Sequence, residues 1–113
     1  MSVAELHEST RQLLEEEAHL AGRDLDAKVR ILLRSEYLRL LARYHHVDHL
    51  MARKYGMEFD AFIACRLVKE RDFSWDVESD AMSWESAVSG IRTTQRKLEA
   101  LRKADSRDSD SEP

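Results

Sequence analysis

Apolar residues in the middle of this chain recur three and four positions apart, with polar residues between them. Leu33, Tyr37, Leu40, Tyr44, Val47 and Met51 keep that rhythm without a break. It is the heptad pattern, which holds one seam of a helix against a partner helix. Leu32, Leu38 and Leu41 widen the apolar face, while Arg30, Arg34, Arg39 and Arg43 fall off the seam and are expected in water. Asp24 is a suitable N-cap for this helix, and Gly56 after Tyr55 a suitable stop. At 1.5 Å per residue such a helix is about 46 Å long, more than the ~34 Å diameter of a compact 100-residue domain. Either the fold is elongated or a second chain covers the overhang.

Three further helices follow from the same reading. Ser2 and Glu5 have the capping-box spacing, which predicts a first helix from Val3 to Ala21 ending at Gly22. Its apolar face (Leu6, Leu13, Leu14, Ala18) is thin. Met57 to Val68 reads as a short third helix with Phe59, Phe62, Ile63 and Leu67 on one side. A connector from Lys69 to Asp76 carries Phe73 and Trp75, which the pattern tucks onto the core. Ser74 or Asp76 then caps a fourth helix, in which Val77, Ala81, Trp84, Val88, Ile91, Gln95 and Leu98 repeat the four-three rhythm. Gln95 is thereby a polar residue on a seam, and Gly90 calls for tolerance or for close approach of another backbone. From Ala104 to Pro113 no large apolar residue remains, and Ser, Asp and Glu dominate. Such a segment does not repay its ordering entropy alone. The expectation is an all-α, elongated bundle of about four helices over 1–103, with a disordered acidic tail over 104–113.

Composition supports helix. The 113 residues include only three Gly and one Pro, too few turn formers for a many-stranded β fold. A formal charge of −4 argues against general affinity for nucleic acid or anionic membrane. Cys65 is the single cysteine, so neither an internal disulfide nor a cysteine-based zinc site is expected, and it sits in an apolar stretch where it packs. No apolar run suits a membrane span and no signal-peptide core lies near Met1, so a cytoplasmic setting is the default.

Candidate chemistry is sparse. In the string HHVDH, His45 and His49 share a helix face and could bind one metal ion with a third ligand, whereas Asp48 is poorly placed to supply it. His46 lies in the same cluster, the glutamate of the zinc-protease motif is absent, and solvated histidines are the plainer reading. No phosphate loop and no nucleophile with its base can be assembled, so neither an enzyme nor a cofactor is expected. Glu78, Asp80 and Glu85 beside Trp84 combine acidity with a large apolar anchor, which suits docking of a basic protein. Trp75, Met82 and Ile91 complete the expected partner-binding set, to the extent that they are not core.

Two stretches carry a resemblance. LLEEEAHLAGRDLDAKVRILLRSEYLRLL is similar to the helix–turn–helix part of ribbon-helix-helix antitoxins, with Gly22, Arg23, Asp24, Val29 and Leu33 in matching places. KYGMEFDAF and WDVESDAMSWESAV look like small helical proteins of prokaryotic toxin–antitoxin modules. Together they cover most of the chain to about Leu101. The long amphipathic helices imply a homodimer or an elongated bundle, and the acids around Trp84 a basic partner. The resemblance implies partner binding, by an antitoxin that covers a toxin with its amphipathic or acidic C-terminal part. It also implies an alternative, a DNA-binding regulator with an N-terminal strand over Val3–Glu8. That strand would turn Glu5 and His7 toward the groove, without the Arg, Lys or Asn that read purines.

Overall fold

A computed structural model describes residues 6–68 and 74–111. Among them the chain is helical, in the order α1 (Glu8–Glu16), α2 (Leu25–Tyr55), α3 (Phe59–Val68) and α4 (Trp75–Ser111). No strand occurs among the described residues. Contacts divide the chain into two compact units, Met1–Glu36 and Tyr37–Pro113, and the division falls inside α2.

In the first unit α1 is shorter than the Val3–Ala21 helix its sequence predicts. Ser2 and Glu5 lie outside the described residues, and the helix starts at Glu8 with no side-chain cap from His7. Of the alternative strand over Val3–Glu8, the described part is not extended pairing: Leu6 and His7 precede α1 and Glu8 begins it. α1 has no buried residue, so packing does not prolong it, and it ends at Glu16. Two N–H groups, of Leu20 and Ala21, then converge on the carbonyl of Glu17. That turn buries Leu20 completely, which a continuous helix with so thin an apolar face would not do. Gly22 follows at φ +79°, the left-handed conformation that favours glycine.

Asp24 caps α2 as its position predicts, its Oδ1 accepting from the Ala27 N–H at 2.8 Å. Lys28 is buried and ion-paired with Glu15, an arrangement in which the long aliphatic stem packs while the ammonium finds a carboxylate. Arg30, expected in water, is also buried, with its Nε 2.9 Å from Asp26 one turn earlier. Leu33, assigned to the seam, is 36% exposed, as are Val29 and Leu32 to a somewhat greater degree. The helix ends where the sequence indicates: Gly56 adopts φ +67° and the Met57 N–H reaches back to the Ala52 carbonyl at 3.2 Å. This six-to-one bond is the Schellman closure, which satisfies a carbonyl that the helix end would otherwise orphan.

The second unit is built by the C-terminal part of α2, α3 and α4. Tyr37, Leu40, Tyr44, Val47 and Met51 are half-buried, as a helix seam requires. Phe62, Ala81 and Trp84 form a buried cluster, surrounded by Met51, Tyr55, Phe59, Ile63, Val77 and Val88. Cys65 is half-buried, while the side chain of Leu67 lies outside the described residues. Ser74, rather than Asp76, caps α4: its carbonyl accepts from the Glu78 N–H at 3.1 Å and its Oγ faces the Val77 N–H at 3.4 Å.

Along α4 the buried line differs from the one its sequence suggests. Trp84, Ala87, Thr94 and Leu101 are buried and Ile91 and Leu98 half-buried, whereas Gln95 is exposed. The seam therefore runs 84–87–91–94–98–101, still a heptad, but with its second position one residue earlier than 88 and 95. Thr94 is a small polar residue that can bond within its own helix, so it can replace Gln95 in the interior without stranding an amide. Where the sequence predicts a tail without structure from Ala104, α4 continues to Ser111. The entropy argument treats that segment as if it began a helix; as a continuation it adds a hydrogen bond per residue with no nucleation cost.

Gly90 lies against an aromatic ring, and not against another backbone. A Cβ built on it would stand 2.7 Å from Cε2 and Cζ of Tyr44. Gly90→Ala gains about 1 kcal/mol of helix propensity, but overpacking typically costs 1–3 kcal/mol, or roughly 2 at a ring contact this close. Gly90→Ala is therefore expected to lower stability by about 1 kcal/mol in chemical denaturation. A stability gain in that measurement would show that Tyr44 swings aside freely.

Candidate protein-interaction surface

Two faces of α4 divide the expected partner-binding residues between them. Trp84 is completely buried, with the rings of Phe62, Phe59 and Tyr55 at 4.9, 5.5 and 6.0 Å between centroids. Each such contact contributes about 0.5–1.5 kcal/mol beyond the apolar area buried. A buried indole also needs an acceptor for its N–H. Asp48 of α2 supplies one, its Oδ1 accepting from Trp84 Nε1 at 2.7 Å. Trp84 is thus a core residue and not a docking anchor, and Ile91 is half-buried on the same side.

Asp80 also turns inward. Its Oδ2 accepts from Lys54 Nζ at 2.5 Å and from the Tyr55 hydroxyl at 2.6 Å, tying the last turn of α2 to the second turn of α4. The hydrogen bond from Lys54, then that from Tyr55, hold the Asp80 carboxyl below its ordinary value of 3.8. The same bond to Asp80 raises Lys54, and burial followed by the bond to Asp80 raises Tyr55. Sequence reading places Asp80 among the docking acids because its two partners lie 25 and 26 residues away.

The outward face carries the rest. Trp75 is 78% and Met82 63% exposed, so Trp75 is not tucked onto the core. Phe73 lies outside the described residues. Glu85 is exposed one turn beyond Met82, and Glu78 is half-buried between the two apolar side chains. Trp75, Glu78, Met82, Glu85 and Ser89 follow one another at spacings of three and four, so they form a single stripe on the helix. Beside it, a groove of about 470 Å³ runs between α2 and α4, bordered by Tyr37, Tyr44, Glu85, Ser89, Gly90 and Lys97. Lys97 Nζ stands 5.6 Å from the Tyr37 ring centroid, a cation–π contact that spans the groove.

The histidines His45, His46 and His49 are exposed on α2, and Asp48 among them is engaged by Trp84. Among the described residues no group of three or more His, Cys, Asp or Glu side chains comes together to hold a metal ion. No helix among the described residues is long and apolar enough to cross a membrane. No family model, curated protein or solved structure matches this chain.

Two outcomes check this geometry. Trp84→Phe keeps most ring contacts but strands Asp48, so a loss of about 1–3 kcal/mol is expected, whereas Asp48→Asn, which keeps an acceptor, should cost less than half of that. Equal losses in the two variants would remove the indole hydrogen bond from the account. The second concerns pH. Because the folded pKa of Asp80 lies below its unfolded value, its contribution is complete above that unfolded value and disappears as pH falls through the folded one. Thermal melts across the acid range should therefore show a steeper decline for the parent than for Asp80→Asn. Parallel declines would contradict it.

Proposed function

We propose that this chain is a non-catalytic protein-binding module, an antitoxin-like partner that covers and neutralises a basic toxin through the outer face of α4. The observation that carries this reading is the pair of large apolar side chains, Trp75 and Met82, standing in solvent among acids. Isolated exposed apolar residues are ordinary, but a tryptophan and a methionine two helical turns apart on one stripe make an anchor pattern of the kind found at interface centres. Asp76, Glu78 and Glu85 around them favour a partner of opposite sign and repel an acidic one. A cytoplasmic setting and action without a cofactor belong to the same reading.

The test is co-expression with the product of the neighbouring gene. Growth arrest caused by that product should be relieved by this chain, and the two should co-purify. Trp75→Ala with Met82→Ala should abolish relief while leaving the melting temperature within about 2 °C, since neither side chain supports the core. Full relief by the double variant would defeat the assignment of this face, and no relief by the parent would defeat the function.

A further inference from the structure

The net charge of −4 conceals a segregation along α4. Residues 75–91 carry four acids (Asp76, Glu78, Asp80, Glu85) and no base, whereas residues 92–103 carry five bases and one acid. Arg92, Arg96, Lys97, Arg102 and Lys103 are all exposed. Ser89, Arg96 and Lys103 continue the stripe of Trp75 and Met82 at heptad spacing, and Glu78 and Glu85 flank it. One face of one helix is therefore acidic and apolar in its first half and basic in its second.

We propose that this face pairs antiparallel with the same face of a second copy of the chain. An isologous contact of this kind must be self-complementary, because each residue meets its mate twice. The pattern of α4 meets that condition in a single register. Setting Glu85 against Arg96 of the second copy places the two-fold axis between Gly90 and Ile91. The same register sets Glu78 against Lys103 one heptad further out, so four charge pairs form across the axis. Near the axis Ser86 and Ser89 are small and exposed, and the exposed Arg92 of each copy faces Ser89 of the other. At each end Trp75 lies over the basic segment around residues 102–107 of the second copy, where an indole face attracts cations. The groove between α2 and α4 opens beside Ser89 and Gly90, and it extends the contact toward Tyr37 and Tyr44. Parallel pairing would oppose acid to acid and base to base along the same stripe, which is unfavourable at every charged position.

This inference deepens the reading above and rests on it for the assignment of the α4 face as a docking face. The second copy's basic half occupies the place of a basic partner, so neutralisation and self-pairing compete for one surface.

Light scattering and sedimentation of the intact chain test the pairing. At ~100 µM and low salt the mass should be twice 13.2 kDa, with dissociation as salt is raised. Glu85→Arg and Arg96→Glu, each at an exposed position, should weaken the dimer about tenfold or more, and the two together should restore it by exchanging the charges. Glu78→Lys with Lys103→Glu repeats the exchange at the outer pair, should either single variant lose its helical circular dichroism. A monomer at every concentration overturns the proposal, as does a dimer that none of the single substitutions weakens. Growth relief is read separately. A charge-exchangeable dimer that relieves no arrest sinks the toxin reading alone, and a monomer that relieves arrest sinks the pairing alone.

Discussion

The second unit depends on where the Trp84 indole finds an acceptor. A completely buried indole can be surrounded by apolar groups on its faces, and Tyr55, Phe59 and Phe62 provide them, but its N–H must still reach a polar atom. Asp48 is that atom's source, and it sits on α2. Apolar packing alone would let α2 rotate or slide against α4 by part of a turn at small cost. A directional bond of 2.7 Å between named side chains selects one rotation. The remaining placements follow: Tyr44 faces Gly90, Tyr55 and Lys54 meet Asp80, and the histidines on either side of Asp48 turn to solvent.

Helix identity, and those helix ends that a capping or glycine residue marks, were legible because they rest on local chemistry. The end of α1 at Glu16 and that of α4 at Ser111 carry no such mark. Asp24, Gly56 and Ser74 each satisfy or release backbone groups within four residues of themselves, so their roles need no tertiary information. The phase of the seams was less legible. On α4 both 88–95 and 87–94 continue a heptad from Trp84, and apolarity alone favours Val88 over Ala87. Gly90 leaves room for the Tyr44 ring of α2, and Ala87 and Thr94, both small, are buried on the same side of α4. On α2, Asp48 is polar and so reads as outside a seam, yet its partner across the interface makes it an inner residue. A pairwise requirement of this kind leaves no trace in either helix taken alone.

The candidate surface was partly legible for a related reason. Trp75 and Trp84 are nine residues apart, which is two and a half helical turns, so they cannot share a face. Treating both as anchors overlooked that half-turn, although helical arithmetic alone contains it. The inward role of Asp80 has no such local signal, since Lys54 and Tyr55 approach it from another helix. Trp75, Met82 and Glu85 remain outward together because they belong to one stripe.

The charge order along α4 needs an explanation beyond helix stability. Acids in the first turn oppose the positive end of the helix dipole, which accounts for Asp76 and Glu78. That effect fades within a turn and does not reach Glu85. Bases are favoured in a last turn, but the basic block lies over 92–103 and the helix runs on to Ser111, with no base in its last turn. Local pairs account for Arg102, which lies 2.6 Å from Glu99, and Lys103 adds to the field at the same carboxylate. Glu99 is, however, the single acid among the five bases of 92–103. Had solubility been the only demand on this surface, interspersed charges would have met it with less self-repulsion inside each block. Blocks of opposite sign on one face concentrate the field where a surface of reversed order would meet it, and it is this order that the proposed pairing uses.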